Sequence, residues 1–400
     1  MSLPRFTKSF TRAEPVPEAG VEAALAVLRS GRLHRYDVDE GEEGEAQALE
    51  REFAAWQGAR FALALASGGQ AMQVAMRAAG VRPGEAVLTN AWTLSAVPSA
   101  VVAVSARPVL VETTADLVID MDDLEAKARA TGARWLLLSH MRGHLCDMDA
   151  LVDRCGALGV AVVEDCAHTL GARWGGRRSG SWGLAACFST QGYKHLSSGE
   201  GGLLVTDDEG LMARATILSG SYALHPRHGA GPPEEAFGEA LLSEPNLSAR
   251  MDHLRAAILR PQLAEVEDRV ARWNARHDRV ARALARHPRV RLPLRPAPEA
   301  FVGSSLQFLL DGAAPHEAEA LVAACAARGV SIRWFGATEP RGYTSAHGSW
   351  RFVQAQALPR TDRVLAGLFD MRLPLTFTAE DCDLVAAHLA EAVNDVIGRE

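Results

Sequence analysis

The sequence predicts an α/β fold, with a three-layer, mostly parallel sheet followed by a smaller α+β C-terminal domain. Three observations carry that expectation. Short, near-continuously apolar runs recur from residue 61, amphipathic stretches separate several of them, and the rhythm changes after about residue 210. Strands covered on both faces read as unbroken apolar runs, and parallel neighbours need helical crossovers between them.

The candidate strands are FALALA (61–66), AVLTN (86–90), RPVLVE (107–112), WLLLSH (135–140), VAVVED (160–165), AACFST (185–190) and GLLVT (202–206). Helical periodicity marks 69–79, 121–130 and 148–158 between them. In such sheets ligands sit beyond the carboxyl ends of the strands. The Gly/Pro/His-rich stretch SYALHPRHGAGPPEE (221–235) predicts an exposed loop. Residues 250–287 read as helix, kinked or divided at Pro261. A further apolar run follows at 304–310, and a last helix at 379–397. The expected division is 1–250 as a large domain including the N-terminal segment, 251–288 as a connecting helix, and 289–400 as the small domain.

Composition narrows the class. With 400 residues the chain has room for two or three domains, at roughly 100–200 residues each. Its 42 basic and 49 acidic residues give a net charge of −7, which counts against nucleic acid as a partner. No apolar run approaches the roughly 18–20 residues that a membrane span needs, so no membrane association is expected. The opening MSLPRFTKSFTRAEP has no apolar core of a secretory signal. Six scattered cysteines without a Cys-x-x-Cys pair read as small buried residues in a reducing compartment, and the cytoplasm is the expected location. The Gly-rich fingerprints of dinucleotide sites and P-loops are absent, as is the Gly-x-Ser-x-Gly elbow. His140 and His144 have i,i+4 spacing but lack a third ligand, so no metal is expected.

Three stretches carry chemistry. In ALASGGQAM (64–72) a strand runs into Ser67-Gly68-Gly69-Gln70 and then a helix, so small residues let backbone amides approach an anion at a helix N-terminus. A tight turn alone also explains the glycines. In VVEDCAHTLGA (162–172) Asp165 ends an apolar strand with His168 three residues on, placed either to stabilise a cation on a ligand or to cap the next element. In ACFSTQGYKHLSSGEGGLLVT (186–206) Lys194 lies in a small-residue loop, as a Schiff-base nucleophile or as a solvated charge.

In this order and spacing, the three stretches resemble the DegT/StrS family of pyridoxal-phosphate (PLP) enzymes, best known as sugar aminotransferases. The landmarks Pro83-Gly84-Glu85, His140 with Gly143, Asp147-Met148-Asp149, Arg250-Met251 and Gln262-Leu263 also look like the family. The resemblance implies the type I aminotransferase fold and a homodimer with shared active sites. It makes Lys194 the Schiff-base lysine, Asp165 the partner of the pyridinium nitrogen and His168 the contact of the ring hydroxyl. It assigns the phosphate to Gly68, Gly69 and Ser189. The family's Ser-Gly-Thr is here Ser67-Gly68-Gly69, so backbone amides or Gln70 must replace a hydroxyl. The aromatic residue that covers the cofactor ring corresponds to Leu94, with Trp92 two residues earlier as a substitute. The asparagine that reaches the neighbouring subunit's phosphate falls at Ser248, and Asn246 is assigned that role.

Arg32, His34 and Tyr36 are candidates for substrate contact, and so are Arg333 and Trp334, which could clamp a carboxylate or stack on a ring. The resemblance implies an amino donor, glutamate or glutamine, and a keto-sugar, cyclitol or other small ketone as acceptor. Two alternatives stay open: a PLP-dependent lyase or dehydratase on a small carboxylated substrate, and a non-catalytic regulatory protein of the same fold. Relatives that dehydrate sugars replace the lysine with histidine, so Lys194 favours transamination.

Overall fold

The computed structural model describes residues 3–39, 41–337 and 346–397. Every predicted strand of the first domain joins one seven-stranded sheet: β1 (Phe61–Leu65), β2 (Ala86–Asn90), β3 (Arg107–Val111), β4 (Trp135–Ser139), β5 (Ala161–Asp165), β6 (Ala185–Ser189) and β7 (Gly202–Thr206). Their order is β1-β7-β6-β5-β4-β2-β3. The pairings β2–β3, β2–β4, β4–β5 and β5–β6 are parallel, and β7 runs antiparallel to both β6 and β1. The reversal follows from the connection. Residues 190–201 link β6 to β7 without a helix, whereas a parallel neighbour is usually reached through one.

Successive side chains alternate between the faces. On β5, Val162 enters the core layer with helices Met121–Thr131 and Met148–Leu158, while Val163 enters the opposite layer with helices Gly68–Ala79 and Glu209–Ser219. Ser67, Asp120 and Asp147 each accept a first-turn amide of the following helix, at 3.1, 2.9 and 3.0 Å respectively. Pro261 divides the predicted helix as expected: Arg260–Glu265 is a 3-10 stretch between His253–Leu259 and Val266–Leu284.

A second sheet of four antiparallel strands contains β8 (Val290–Arg291), β9 (Ser305–Leu310), β10 (Arg333–Trp334) and β11 (Leu368–Arg372), in the order β8-β9-β11-β10. Helices Pro315–Ala327 and Ala379–Ile397 share its core. Among the described residues no helix is long and apolar enough to cross a membrane.

The structure corrects two expectations. The first residues, expected with the large domain, pack in the core of the second sheet: Phe6 and Phe10 lie edge-on against Phe377, at 5.1 and 5.0 Å. The 221–235 segment is not simply an exposed loop, because it contains 3-10 turns and its His228 is 1% exposed. His228 lies 3.3 Å from Glu50, and its Nδ1 is 3.1 Å from the Tyr36 hydroxyl. Glu50 in turn accepts both prongs of the Arg35 guanidinium at 2.9 Å and the Ala64 amide of β1 at 2.7 Å. Burial pushes the Glu50 carboxyl up, but Arg35 and His228 override it and hold the pKa at about 2.

Candidate active site

The parallel strands end along one edge, and β7, running the other way, begins there. The β4–β5 register pairs Ser139 with Asp165, and β6–β7 pairs Ser189 with Gly202. Asp165 is 7% exposed and accepts the Ser139 hydroxyl at 3.0 Å and the Ala167 amide at 3.1 Å. Ser139 is itself fixed: its amide donates to Asn90 at 2.9 Å and its hydroxyl receives that of Thr93 at 2.7 Å. No helix follows Asp165 directly, so its carboxylate anchors a turn.

Lys194 rises from the loop between β6 and β7. Backbone bonds from Thr190 to Gly201 and from Gly192 to Gly199, both 2.9 Å, close the base of that loop. Gln262 pins it further, accepting the Ser197 amide at 3.1 Å and donating to the Ser197 carbonyl at 2.8 Å. The lysine Nζ lies 2.8 Å from His168 Nε2. His168 Nδ1 accepts the Arg142 amide at 3.3 Å, which leaves the proton of the neutral ring on Nε2. Burial first, then the charges of Lys194 and Arg142, hold the His168 pKa well below its usual value, so the ring is neutral. Burial also lowers the Lys194 pKa, Arg142 and Arg372 add to this, and Asp165 opposes it; the result is about 7. At neutral pH much of the lysine is therefore free amine, which is the nucleophilic form.

At the other end of this edge, backbones meet with no room for side chains. A Cβ on Gly68 would come within 2.8 Å of Ser189 Cβ, and one on Gly202 within 2.4 Å of the Ser67 carbonyl. The N-terminus of helix Gly68–Ala79 thus opens beside Ser189, and the buried Gln70 Oε1 has no protein partner. Free first-turn amides and the Ser189 hydroxyl form a donor set suited to a phosphate. With a carboxylate for a ring nitrogen, a neutral histidine and a deprotonated lysine nearby, the residues fit pyridoxal phosphate.

Other predicted site residues lie elsewhere. Trp92 is 1% exposed, packed edge-on against His144 and Phe335 in a core cluster, so it has no open face for a cofactor ring. Leu94 is half-buried beside that cluster. Arg32 is bound to Asp39 and Glu42, both at 2.6 Å. His34 lies against Tyr36, which is buried under His228. This group meets the 221–250 segment, and no described hydrogen bond, ion pair or ring contact joins it to Lys194. Asn246 is exposed and accepts the Ser248 amide at 2.7 Å; Ser248 holds a left-handed φ of 49°, a conformation that favours asparagine or glycine. Arg333 and Trp334 do not form a pair. They are neighbours on one strand, so Trp334 turns to the second sheet's core, with its indole N–H on the Ala366 carbonyl at 2.9 Å, and Arg333 turns to the opposite face. His140 and His144 likewise diverge, to Glu164 at 3.0 Å and Gln307 at 2.9 Å.

Sequence reasoning missed Ser139, Thr93, Arg142 and Arg372. Arg142 bonds to Asp370 of β11 at 2.7 Å, and Arg372 stacks over Tyr193 at 4.3 Å. Ser139 was findable, because it ends the strand beside the one that ends in Asp165. Arg142 follows β4 directly and reaches across to Asp370 of the second sheet, whereas Arg372 comes to the site only through docking of that sheet, which leaves no local pattern.

Known proteins resemble the chain in sequence and in fold. The chain is 36% identical over 260 residues to a dTDP-3-amino-3,4,6-trideoxy-alpha-D-glucose transaminase of Streptomyces venezuelae, covering 64% of this chain and 62% of the relative. It is 33% identical over 250 residues to an L-glutamine:scyllo-inosose aminotransferase of Streptomyces griseus, covering 62% and 58%. The aligned part therefore spans about three fifths of these relatives' length. The crystal structure of 3-amino-5-hydroxybenzoic acid synthase superposes with a TM-score of 0.82 at 25% identity, over 98% of this chain and 100% of that one. The sequence profile of one family covers residues 18–390, and with it the strand edge, the lysine loop and most of the second sheet: the chain belongs to the DegT/DnrJ/EryC1/StrS aminotransferase family.

Proposed function

We propose that this protein is a PLP-dependent aminotransferase that takes an amino group from glutamate or glutamine and gives it to the ketone of a sugar, a cyclitol or another small molecule. The observation that carries the reading is Lys194 Nζ at 2.8 Å from a neutral His168, on the strand edge that presents Asp165. PLP, when bound, supplies the electron sink and carries the amino group between the two half-reactions.

The chain's own residues do the rest. Asp165, held by Ser139 and Ala167, offers a fixed negative charge to a protonated ring nitrogen. His168, its Nδ1 occupied by the Arg142 amide, donates from Nε2 to a ring oxygen. Gly68, Gly69, Gln70 and Ser189 bind the phosphate. Lys194, about half free amine at pH 7, would hold the cofactor through its amine and move protons at the substrate carbon. A homodimer with shared sites is part of this reading, and its support is the exposed Asn246 and Tyr222 beside Arg250. The cytoplasm is the proposed compartment, on the support of six buried, unpaired cysteines.

The test is the absorption spectrum of the purified protein with PLP, before and after separate additions of L-glutamate, L-glutamine and L-alanine. The expected result is a yellow band that one donor bleaches. A protein that never takes up the colour refutes the reading.

A further inference from the structure

The neutral His168 beside Lys194 takes its proton position from a turn behind it. After β4 the chain reverses over residues 141–144, closed by the His144 amide on the Met141 carbonyl at 3.3 Å. Both central residues are left-handed, Arg142 at φ 56° and Gly143 at φ 83°. Turns of this kind favour glycine, asparagine or aspartate, and glycine adopts the conformation at no cost. An arginine does not, so something outside the turn must hold it.

Three side chains from beyond residue 290 do so, one at each of three consecutive positions. The buried Arg142 guanidinium meets the buried Asp370 carboxylate at 2.7 Å. The Gly143 carbonyl accepts Arg295 Nη1 at 2.8 Å, and His144 Nε2 donates to Gln307 Oε1 at 2.9 Å. Gln307 and Asp370 stand opposite each other on β9 and β11, and Gln307 Nε2 donates to the other Asp370 oxygen at 2.8 Å. The turn's far side is equally confined, since a Cβ on Gly143 would lie 3.2 Å from the His168 carbonyl.

Clasped in this way, the turn aims the Arg142 amide at His168 Nδ1, 3.3 Å away. A neutral imidazole carries one proton, and a donor at Nδ1 leaves that proton on Nε2, facing Lys194 Nζ. If the turn relaxed, the proton would be free to move to Nδ1, and a lone pair would face the lysine instead. The Arg142 charge acts separately, helping to lower the pKa of both His168 and Lys194.

We propose that Arg142 and Asp370 are positioning residues: their ion pair holds the left-handed turn whose amide keeps the His168 proton on Nε2, so the second sheet sets a tautomer in the large sheet's site. The use of that proton, donation to a ring oxygen of PLP, rests on the aminotransferase reading; the tautomer itself does not.

Arg142→Gly and Arg142→Ala test it as a pair. Both delete the guanidinium and its charge, but alanine populates the left-handed turn about tenfold less than glycine. The readout is the nitrogen NMR spectrum of histidine-labelled, cofactor-free protein, with the His168 signals identified by their loss in His168→Gln. The unaltered protein and Arg142→Gly should show the Nε2–H form almost alone, and Arg142→Ala about tenfold more of the Nδ1–H form. The same pair made on Asp370→Asn leaves no buried carboxylate unpaired and gives the comparison if a single variant fails to fold. Asp370→Asn should raise the Nδ1–H form where Arg142 is present and change nothing in Arg142→Gly, because it acts through the arginine. Equal tautomer populations in the glycine and alanine proteins overturn the proposal. So does an Asp370→Asn protein whose tautomer is that of the unaltered chain. PLP retention should follow the same order, with alanine below glycine. Failure of the aminotransferase reading looks different, as a protein that takes up no PLP colour while the NMR contrast persists.

Discussion

At the scale of single residues, the site depends on an amine kept uncharged. Lys194 needs no separate base to become nucleophilic, because enclosure beside Arg142 and Arg372 already holds it near half-neutral at pH 7. The rate of PLP capture by the cofactor-free protein should therefore rise through about pH 7 and level off above it. The same shift is a stability statement. The unfolded chain keeps this lysine protonated to about pH 10.4, so between those values it binds more protons than the folded chain, and stability rises with pH. Lys194→Met should accordingly raise the melting temperature of the cofactor-free protein at pH 7, with the gain fading towards pH 10; a constant or negative difference would contradict the burial argument. Lys194→Ala should retain the fold and lose all transamination. Ser139→Ala should weaken PLP retention, because Asp165 loses an orienting bond of about 1 kcal/mol. Lys194 and Asp165 were singled out in the sequence only through the resemblance to a family, since taken alone a loop lysine reads as a surface charge and a strand-end aspartate as a cap. The orientation of Trp92 was not legible, because spacing places a residue near a ligand without telling which way its ring turns.

At the scale of elements, the strand edge works because three backbones converge. The end of β6, the start of β7 and the first turn of helix Gly68–Ala79 pack so closely that Gly68 and Gly202 cannot carry a Cβ without displacement. Gly202→Ala should cost about 1–3 kcal/mol in denaturant unfolding and lower PLP affinity more than it lowers stability, since it pushes the phosphate cradle open. Strands and helices of the large domain were readable because apolar period and caps agree over each segment. The second sheet's contribution was not. Asp370 and Arg372 share β11 and Gln307 faces Asp370 from β9, but Arg142 is more than 150 residues from all three, and only the packing of the second sheet against the large sheet's edge brings it to them. Strand alternation also undoes the Arg333–Trp334 pair, a constraint that becomes decisive only once that dipeptide is known to be a strand.

At the scale of the whole molecule, two long-range ties hold the N-terminal region. The Arg35–Glu50–His228 network joins residues 35–36, helix Glu45–Gln57, β1 and the 221–235 segment. Glu50→Gln should destabilise the protein by about 3–5 kcal/mol, because it leaves a buried guanidinium unpaired. The Glu50 pKa is about 2, below its ordinary value near 4.5, so its contribution is complete above pH 4.5 and is lost as pH falls towards 2. An acid-unfolding curve of Glu50→Gln should be correspondingly flatter in that window.

The second tie is the N-terminal strap. Phe6 and Phe10 are embedded in the second sheet's core, while helix Glu18–Ser30 lies on helix His253–Leu259, so residues 11–16 run between two anchored ends along the wall of the cavity beside Lys194. Arg12, in the middle of that span, is exposed. A peptide bond in a segment fixed at both ends is a poor protease substrate until one anchor releases. Limited trypsin digestion should therefore report the anchors: cleavage after Arg12 should be slow in the unaltered protein and speed up when Phe6→Ala and Phe10→Ala loosen the second sheet's hold on the strap.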